Sequence, residues 1–178
     1  MQSFLRYAVC SICCGFLFAC STVAADQTSD EYQKQQEKLS RETSPIGRVK
    51  VLIRMSDLDI GKIGHWVKKG NLVEADRFLN RYGEVIKQIS EILKASNRNA
   101  QKNPAGFKEF EIALRRQLRK LADLKLNYSF DQQEAIRQAI ATAESAKEEM
   151  FQAIFGPENA GRRRDRSEGT EKSKEETH

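Results

Sequence analysis

The stretch RVKVLIRM, Arg48 to Met55, decides what kind of protein this is. Val49, Val51, Ile53 and Met55 alternate, the signature of a half-buried strand. Some of them also belong to a longer series, Ile46, Val49, Ile53, Ile60, Ile63 and Val67. These are spaced by three or four, with Ser56 in the gap, which is the apolar stripe of a helix. A strand must satisfy its backbone hydrogen bonds with a neighbour, and no other segment offers an alternating partner. The helix reading therefore prevails. Ser44 as cap and Pro45 at the first helical position give it a start. Gly61 and Gly64, each costing about 1 kcal/mol relative to Ala, mark where it would break.

Three further segments repeat the helical pattern. Leu72, Ala75, Leu79, Tyr82, Ile86, Ile89 and Leu93 form a heptad-like, coiled-coil-type seam. A third helix is expected to open with Asn103 as cap and Pro104 at its first position, aligning Phe107, Phe110, Leu114, Leu118, Leu121 and Leu124. The fourth starts at SFDQ, where Ser129 and Gln132 have capping-box spacing. It carries Ile136, Ile140, Ala143, Met150 and Ile154 and stops at Gly156-Pro157. Matched lengths and short connections predict an all-α, antiparallel four-helix bundle of two hairpins over residues 45–157. The longer connection NRNAQKNPAG, residues 97–106, would let the hairpins open. Leu79, Ile86, Leu114, Leu121 and Ile140 are the sharpest core expectations.

Charge is spread unevenly over the 178 residues. Residues 26–44 carry five acidic side chains against three basic ones and few large aliphatics, which suits a polar linker with nascent helix. Residues 158–178 balance six against six and have no apolar residue after Ala160, which predicts a disordered charged tail. Residues 45–157, with twenty basic side chains against fourteen, therefore hold the basic character behind the net charge of +5.

Residues 1–25 read as a signal peptide. Arg6 is the only charge before Asp26, and YAVCSICCGFLFA is an apolar run of the usual length. Two processing routes stay open. Cleavage after Ala25 would use the small side chains of VAA and leave a periplasmic or secreted protein. Alternatively, LFAC resembles a bacterial lipobox, with Leu17 and Ala19 in place and Cys20 as acyl acceptor; Phe18 departs from it, since that position is normally small. That route leaves a protein lipid-anchored through Cys20. An uncleaved anchor ranks third, because a spanning helix needs about 20 mainly apolar residues and this run ends in small and polar ones.

All four cysteines, Cys10, Cys13, Cys14 and Cys20, lie in the leader region. A mature chain in an oxidising compartment then has no disulfide, no thiolate zinc site and no Cys–His nucleophile. His65 and His178 stand apart, with no paired-histidine motif, Gly-rich phosphate loop or nucleophile elbow. Glu74, Asp76, Glu109, Glu111 and Asp123 fall among Lys and Arg at helix-surface spacings. We expect no catalytic residue, no metal and no cofactor, hence no enzyme; a small carboxylate-dependent hydrolase is the catalytic alternative.

The positive feature is ALRRQLRKLADLK, residues 113–125. Arg115 and Arg119 are four apart, as are Arg116 and Lys120, so the four make a cationic stripe beside the Leu114/Leu118/Leu121 seam. Lys108 and Lys125 extend it. Such a stripe suits an acidic envelope protein or an anionic membrane or polymer surface. Nucleic acid is not expected outside the cytoplasm, and a homodimer is compatible with the seams.

Two local resemblances add to this. KGNLVEADRFLNRY is similar to the inter-helix turn of a tetratricopeptide repeat, with Gly70 and Ala75 at that family's spacing, but no 34-residue period follows. LNYSFDQQEAIRQAI resembles the LTxxQ segment of the Spy and CpxP envelope proteins, with Ser129 for Thr and Gln132 for Gln, and Tyr128 departing from Leu. That resemblance implies a helical periplasmic holdase with a basic surface. The expectation is thus a non-enzymatic helical interaction or scaffold protein of the bacterial cell envelope, with a holdase chaperone as the alternative.

Overall fold

A computed structural model describes the backbone of residues 23–156 and the side chains from Asp30 onward. The leader including Cys20, residue Pro157 and the tail of residues 158–178 lie outside the described residues. Every regular element is helical: α1 Val23–Arg41, α2 Pro45–Lys68, α3 Leu72–Ala95, α4 Phe107–Lys125, a single 3-10 turn Phe130–Gln132, and α5 Glu134–Phe155. There is no strand among the described residues, so RVKVLIRM is helical and the chain is all-α.

Each boundary has a local cause. Ser44 caps α2, accepting from the Gly47 amide at 3.4 Å, and Pro45 takes the first position as expected. α2 runs unbroken through Gly61 and Gly64; a side chain at Gly64 would meet Leu124 on α4 at 3.7 Å. Gly70, at φ +72°, ends it: the Gly70 amide donates to the Val67 carbonyl and the Asn71 amide to that of Trp66. This closed left-handed turn satisfies the last carbonyls of α2, and the Asn71 side chain at once caps α3 through the Glu74 amide.

Two starts differ from expectation. α4 begins at Phe107 rather than Pro104, because Gly106 adopts φ +87° and breaks the helical run there. Glu109 then reaches back to accept from the Gly106 amide at 2.6 Å. Asn99 organises the preceding connection instead, its side chain accepting from the amides of Gln101 and Lys102. Ser129 does not cap the last helix. Its hydroxyl bonds to the Gln132 side chain across the 3-10 turn, and α5 starts at Glu134. Its end is as expected, at Gly156 with φ +80°.

Packing follows the stripes. α2 contacts α3 and α4; α5 contacts the same two helices; α1 lies on α2. Asp59 on α2 pairs with Arg81 on α3, so these two run antiparallel about the Gly70 turn. Asp57 on α2 meets Arg116 on α4, and Gly64 lies beside Leu124, so that pair runs in parallel. Lys94 and Glu149, each near the C-terminal end of its helix, pair at 2.9 Å and fix α3 parallel to α5. Ala100 and Gly106 anchor the long connection to the helices, while residues 97–99 and 101–104 of it are exposed.

The core holds Val49, Leu52, Ile63, Leu79, Tyr82, Ile86, Ile89, Phe110, Leu114, Leu121 and Ile136, none more than 1% exposed. Ile140 is only partly buried at its margin. Residues 26–44, read as a polar linker, are mostly α1. Tyr32 and Leu39 are its contacts with the core, and so few apolar positions cannot announce a buried face in sequence. Truncating Leu79, Ile86, Leu114 or Leu121 to Ala should cost about 2–5 kcal/mol in denaturant unfolding, with Ile140→Ala clearly below that range. Gly106→Ala should also destabilise, since its new Cβ would sit 2.7 Å from Ile46 Cδ1 at a backbone conformation that favours glycine.

Candidate anionic-partner surface

The outer face of α4 carries the predicted stripe. Phe107, Phe110, Leu114 and Leu121 turn this helix inward, and its other side faces solvent. Arg115, Arg116, Arg119 and Lys120 are all exposed there, as is Lys108. Two of the four predicted cations are engaged. Arg115 pairs one turn back with Glu111, whose carboxylate is buried rather than on the solvated face expected for it. Arg116 reaches across to α2, its Nη2 donating to Asp57 Oδ2 at 2.6 Å. Arg119 and Lys120 form no ion pair among the described residues. Ile112, 48% exposed, stands among these cations and escaped the sequence reading because it lies off the seam.

Beneath this face is a buried polar layer. Gln117, fully buried on α4, donates through Nε2 to Ser56 Oγ at 2.8 Å and to Asp57 Oδ1 at 2.9 Å. Its Oε1 accepts from the Tyr82 hydroxyl of α3 at 3.2 Å. Burial, with the nearby Asp57 charge, pushes the Tyr82 hydroxyl well above the usual phenol range, so it remains a donor. One glutamine thus ties α4 to α2 and α3 and, through Asp57, sets the position of Arg116. Its sequence signal is a polar residue three after Leu114, at a seam position.

A second polar cluster sits where α1, α2 and α3 meet. Asp59 is wholly buried and accepts from Arg81 Nε at 2.9 Å. The Arg81 guanidinium lies over the Tyr32 ring at 4.0 Å and the Phe78 ring at 4.7 Å. Burial raises the Asp59 carboxyl from 3.8 to about 6, against the opposing pull of Arg81, and its Oδ2 has no donor. Sequence reasoning missed this cluster, because a single Asp among apolar residues looks like any surface acid.

Elsewhere an open groove of about 460 Å³ runs between α3 and α5, walled by Ser90, Ala141, Thr142, Ser145 and Ala146. Among the described residues no three His, Cys, Asp or Glu side chains gather as a metal-holding group. His65 stacks edge-on against Trp66 with ring centroids 5.3 Å apart. Glu74 pairs with Arg77, and Asp123 is exposed. Of the processing residues, Ala25 falls in the first turn of α1 and Cys20 outside the described residues. No protein-family model, curated protein or solved structure matches this chain.

Asp59 gives a pH dependence with a definite sign. In the folded state its carboxyl binds a proton more tightly than in the unfolded chain, so its contribution to stability is fullest below about pH 4. That contribution is lost as pH rises through about 6, a change of about 3 kcal/mol. Asp59→Asn should remove this pH dependence. Unfolding curves at pH 4 and pH 7 should therefore diverge less for the variant than for the native chain.

Proposed function

We propose that this chain is a non-enzymatic interaction protein of the bacterial cell envelope that meets an acidic partner through the exposed face of α4. In this reading residues 45–157 form a four-helix bundle of two antiparallel hairpins, α2–α3 and α4–α5, exported by the leader of residues 1–25. The helix contacts are compatible with that arrangement. The mature protein is periplasmic or secreted, or lipid-anchored if Cys20 is the processing site.

One observation carries the proposal. Arg119 and Lys120 are exposed and without ion pairs among the described residues, on a helix whose rotation is locked by Gln117. Both are therefore left free to meet a partner's acidic groups. Exposed pairs contribute little individually and are screened within about 8 Å at physiological salt, so recognition must be multivalent and salt-sensitive. Ile112 among them adds an apolar contact that a simple counter-ion atmosphere would not use.

Arg119→Glu with Lys120→Glu tests this without breaking any internal pair. On immobilised heparin, a soluble polyanion with no lipid, the native protein should be retained and released by salt. The double variant should elute at markedly lower salt with unchanged helicity. Equal retention of the two proteins, or none by the native chain, would remove the α4 face from consideration.

A further inference from the structure

Three large apolar side chains are almost fully in water: Val73 at 81%, Leu126 at 85% and Phe130 at 77% exposure. They come from different segments, the first turn of α3, the residue ending α4 and the 3-10 turn. All three lie at one end of the molecule. Leu124 beside Gly64 brings the end of α4 to the last turns of α2. Tyr128 is buried next to Asp76 of α3, whose charge helps raise the Tyr128 hydroxyl to about 12 after burial itself. That contact holds the α4–α5 turn against the start of α3.

Exposed Lys68, Lys69, Arg77 and Arg137 surround this tip. The Arg137 guanidinium lies 4.9 Å from the Phe130 ring, and Lys69 Nζ 5.4 Å from that of the half-buried Trp66. Exposed Asp123, Asp131 and Glu134 largely offset these charges. The tip is therefore apolar and fringed with both signs, unlike the cationic side of α4.

The direction of α1 supplies an independent observation. Glu42 lies against Gly47 at the start of α2, while Tyr32 stacks on the Arg81 that pairs with Asp59, so α1 runs antiparallel to α2. Val23, nine residues before Tyr32, stands about 13 Å further along the axis at 1.5 Å per residue. That is the level of the last turn of α2. In the lipid-anchored reading the acyl acceptor Cys20, three residues ahead of α1, would thus tether the molecule by the end that carries Val73, Leu126 and Phe130.

We propose that this end docks into the surface of a lipid bilayer, with Val73, Leu126 and Phe130 entering the acyl boundary and the surrounding cations at headgroup level. Side chains projecting from separate turns are unlike the continuous patch of about 800 Å² per partner that is typical of a specific protein interface. Apolar and aromatic tips of this kind match the chemistry of the membrane interface, with Lys and Arg at headgroup level and the neighbouring acids keeping the fringe near neutral. No helix among the described residues is long and apolar enough to cross a membrane, so these helices stand on it. Since local charges nearly cancel, apolar insertion drives the contact, and neutral lipid suffices. The inference is independent of the α4 face.

The test uses the protein produced with its leader in a bacterial host and purified after processing, with Trp66→Phe to remove the single tryptophan. Leu126→Trp and Phe130→Trp report on the tip, and Gln101→Trp reports on the opposite end. With phosphatidylcholine vesicles carrying brominated acyl chains, fluorescence at positions 126 and 130 should shift to the blue and be quenched. Position 101 should not change, and the pattern should persist at about 0.5 M salt, where surface charges are heavily screened. In the Phe130→Trp protein, adding Val73→Ser and Leu126→Ser should raise the lipid concentration for half-quenching by at least about tenfold. These sites are exposed, so the helical spectrum should survive. If Trp66→Phe loosens the fold, the same reporters read against the native Trp66 background decide the matter. Absent quenching at 126 and 130, equal quenching at 101, or a blue shift that follows protein concentration without lipid would overturn the proposal, the last in favour of a second copy.

Discussion

α2 leaves little of its surface to solvent beyond a strip through Lys50, Arg54 and Gly61. α3, α4 and α1 all pack on it, so Ser56 and Asp59 are buried alongside Val49, Leu52 and Ile63. Buried polar groups must find partners or cost several kcal/mol, and this requirement shapes the helices around it. Ser56 and Asp57 dictate a glutamine at position 117 of α4, which in turn engages Tyr82 of α3. Asp59 dictates Arg81 on α3, and Arg81 is covered by Tyr32 of α1. A purely apolar seam would let each helix rotate or slide by a turn at small cost; these pairings fix one setting, as buried polar residues do in coiled coils.

The same constraint explains what could be read from sequence. α3 and α4 each bury one stripe, and their seams were legible almost residue by residue. α2 buries more than one side, so its pattern blurs into the alternation of Val49, Val51, Ile53 and Met55 that imitates a strand. Val51, off the helical stripe, shares a surface groove with Glu31, Gln35 and Lys38 of α1. The opposite failure is α1, which presents little more than Tyr32 and Leu39 to the core and so reads as a polar linker. Starts of α4 and α5 were misjudged because Gly106 at positive φ and the Phe130–Gln132 turn override plausible caps nearby. Local capping signals are weak beside such backbone geometry.

Charge is the feature that sequence states most clearly and explains least. Four cations at spacing four predict one stripe, yet half of it is spent internally, Arg115 on Glu111 and Arg116 on Asp57. Neither partner was identifiable beforehand. Glu111 looked like a surface acid, and Asp57 is fifty-nine residues from Arg116. What remains open to a partner is narrower, centred on Arg119 and Lys120, with Ile112 as an unforeseen apolar neighbour. Exposed turn residues such as Leu126 and Phe130 carry no periodicity at all, so only their shared position at one end gives them meaning.

The two proposed contacts use different physics and different parts of the molecule, and their geometry makes them compatible. The cationic residues project sideways from the middle of α4, whereas the apolar tip lies at the end where α2 and α4 finish. A molecule standing on that end keeps the side of α4 clear of the lipid and turned toward the aqueous space. Arg119 precedes Leu126 by seven residues, about 10 Å along the helix, close to the distance over which charges are screened at physiological salt. The stripe would then feel an anionic headgroup layer weakly while remaining free for an acidic partner beside the membrane. Neutral insertion at the tip and charge recognition on the side therefore need not compete.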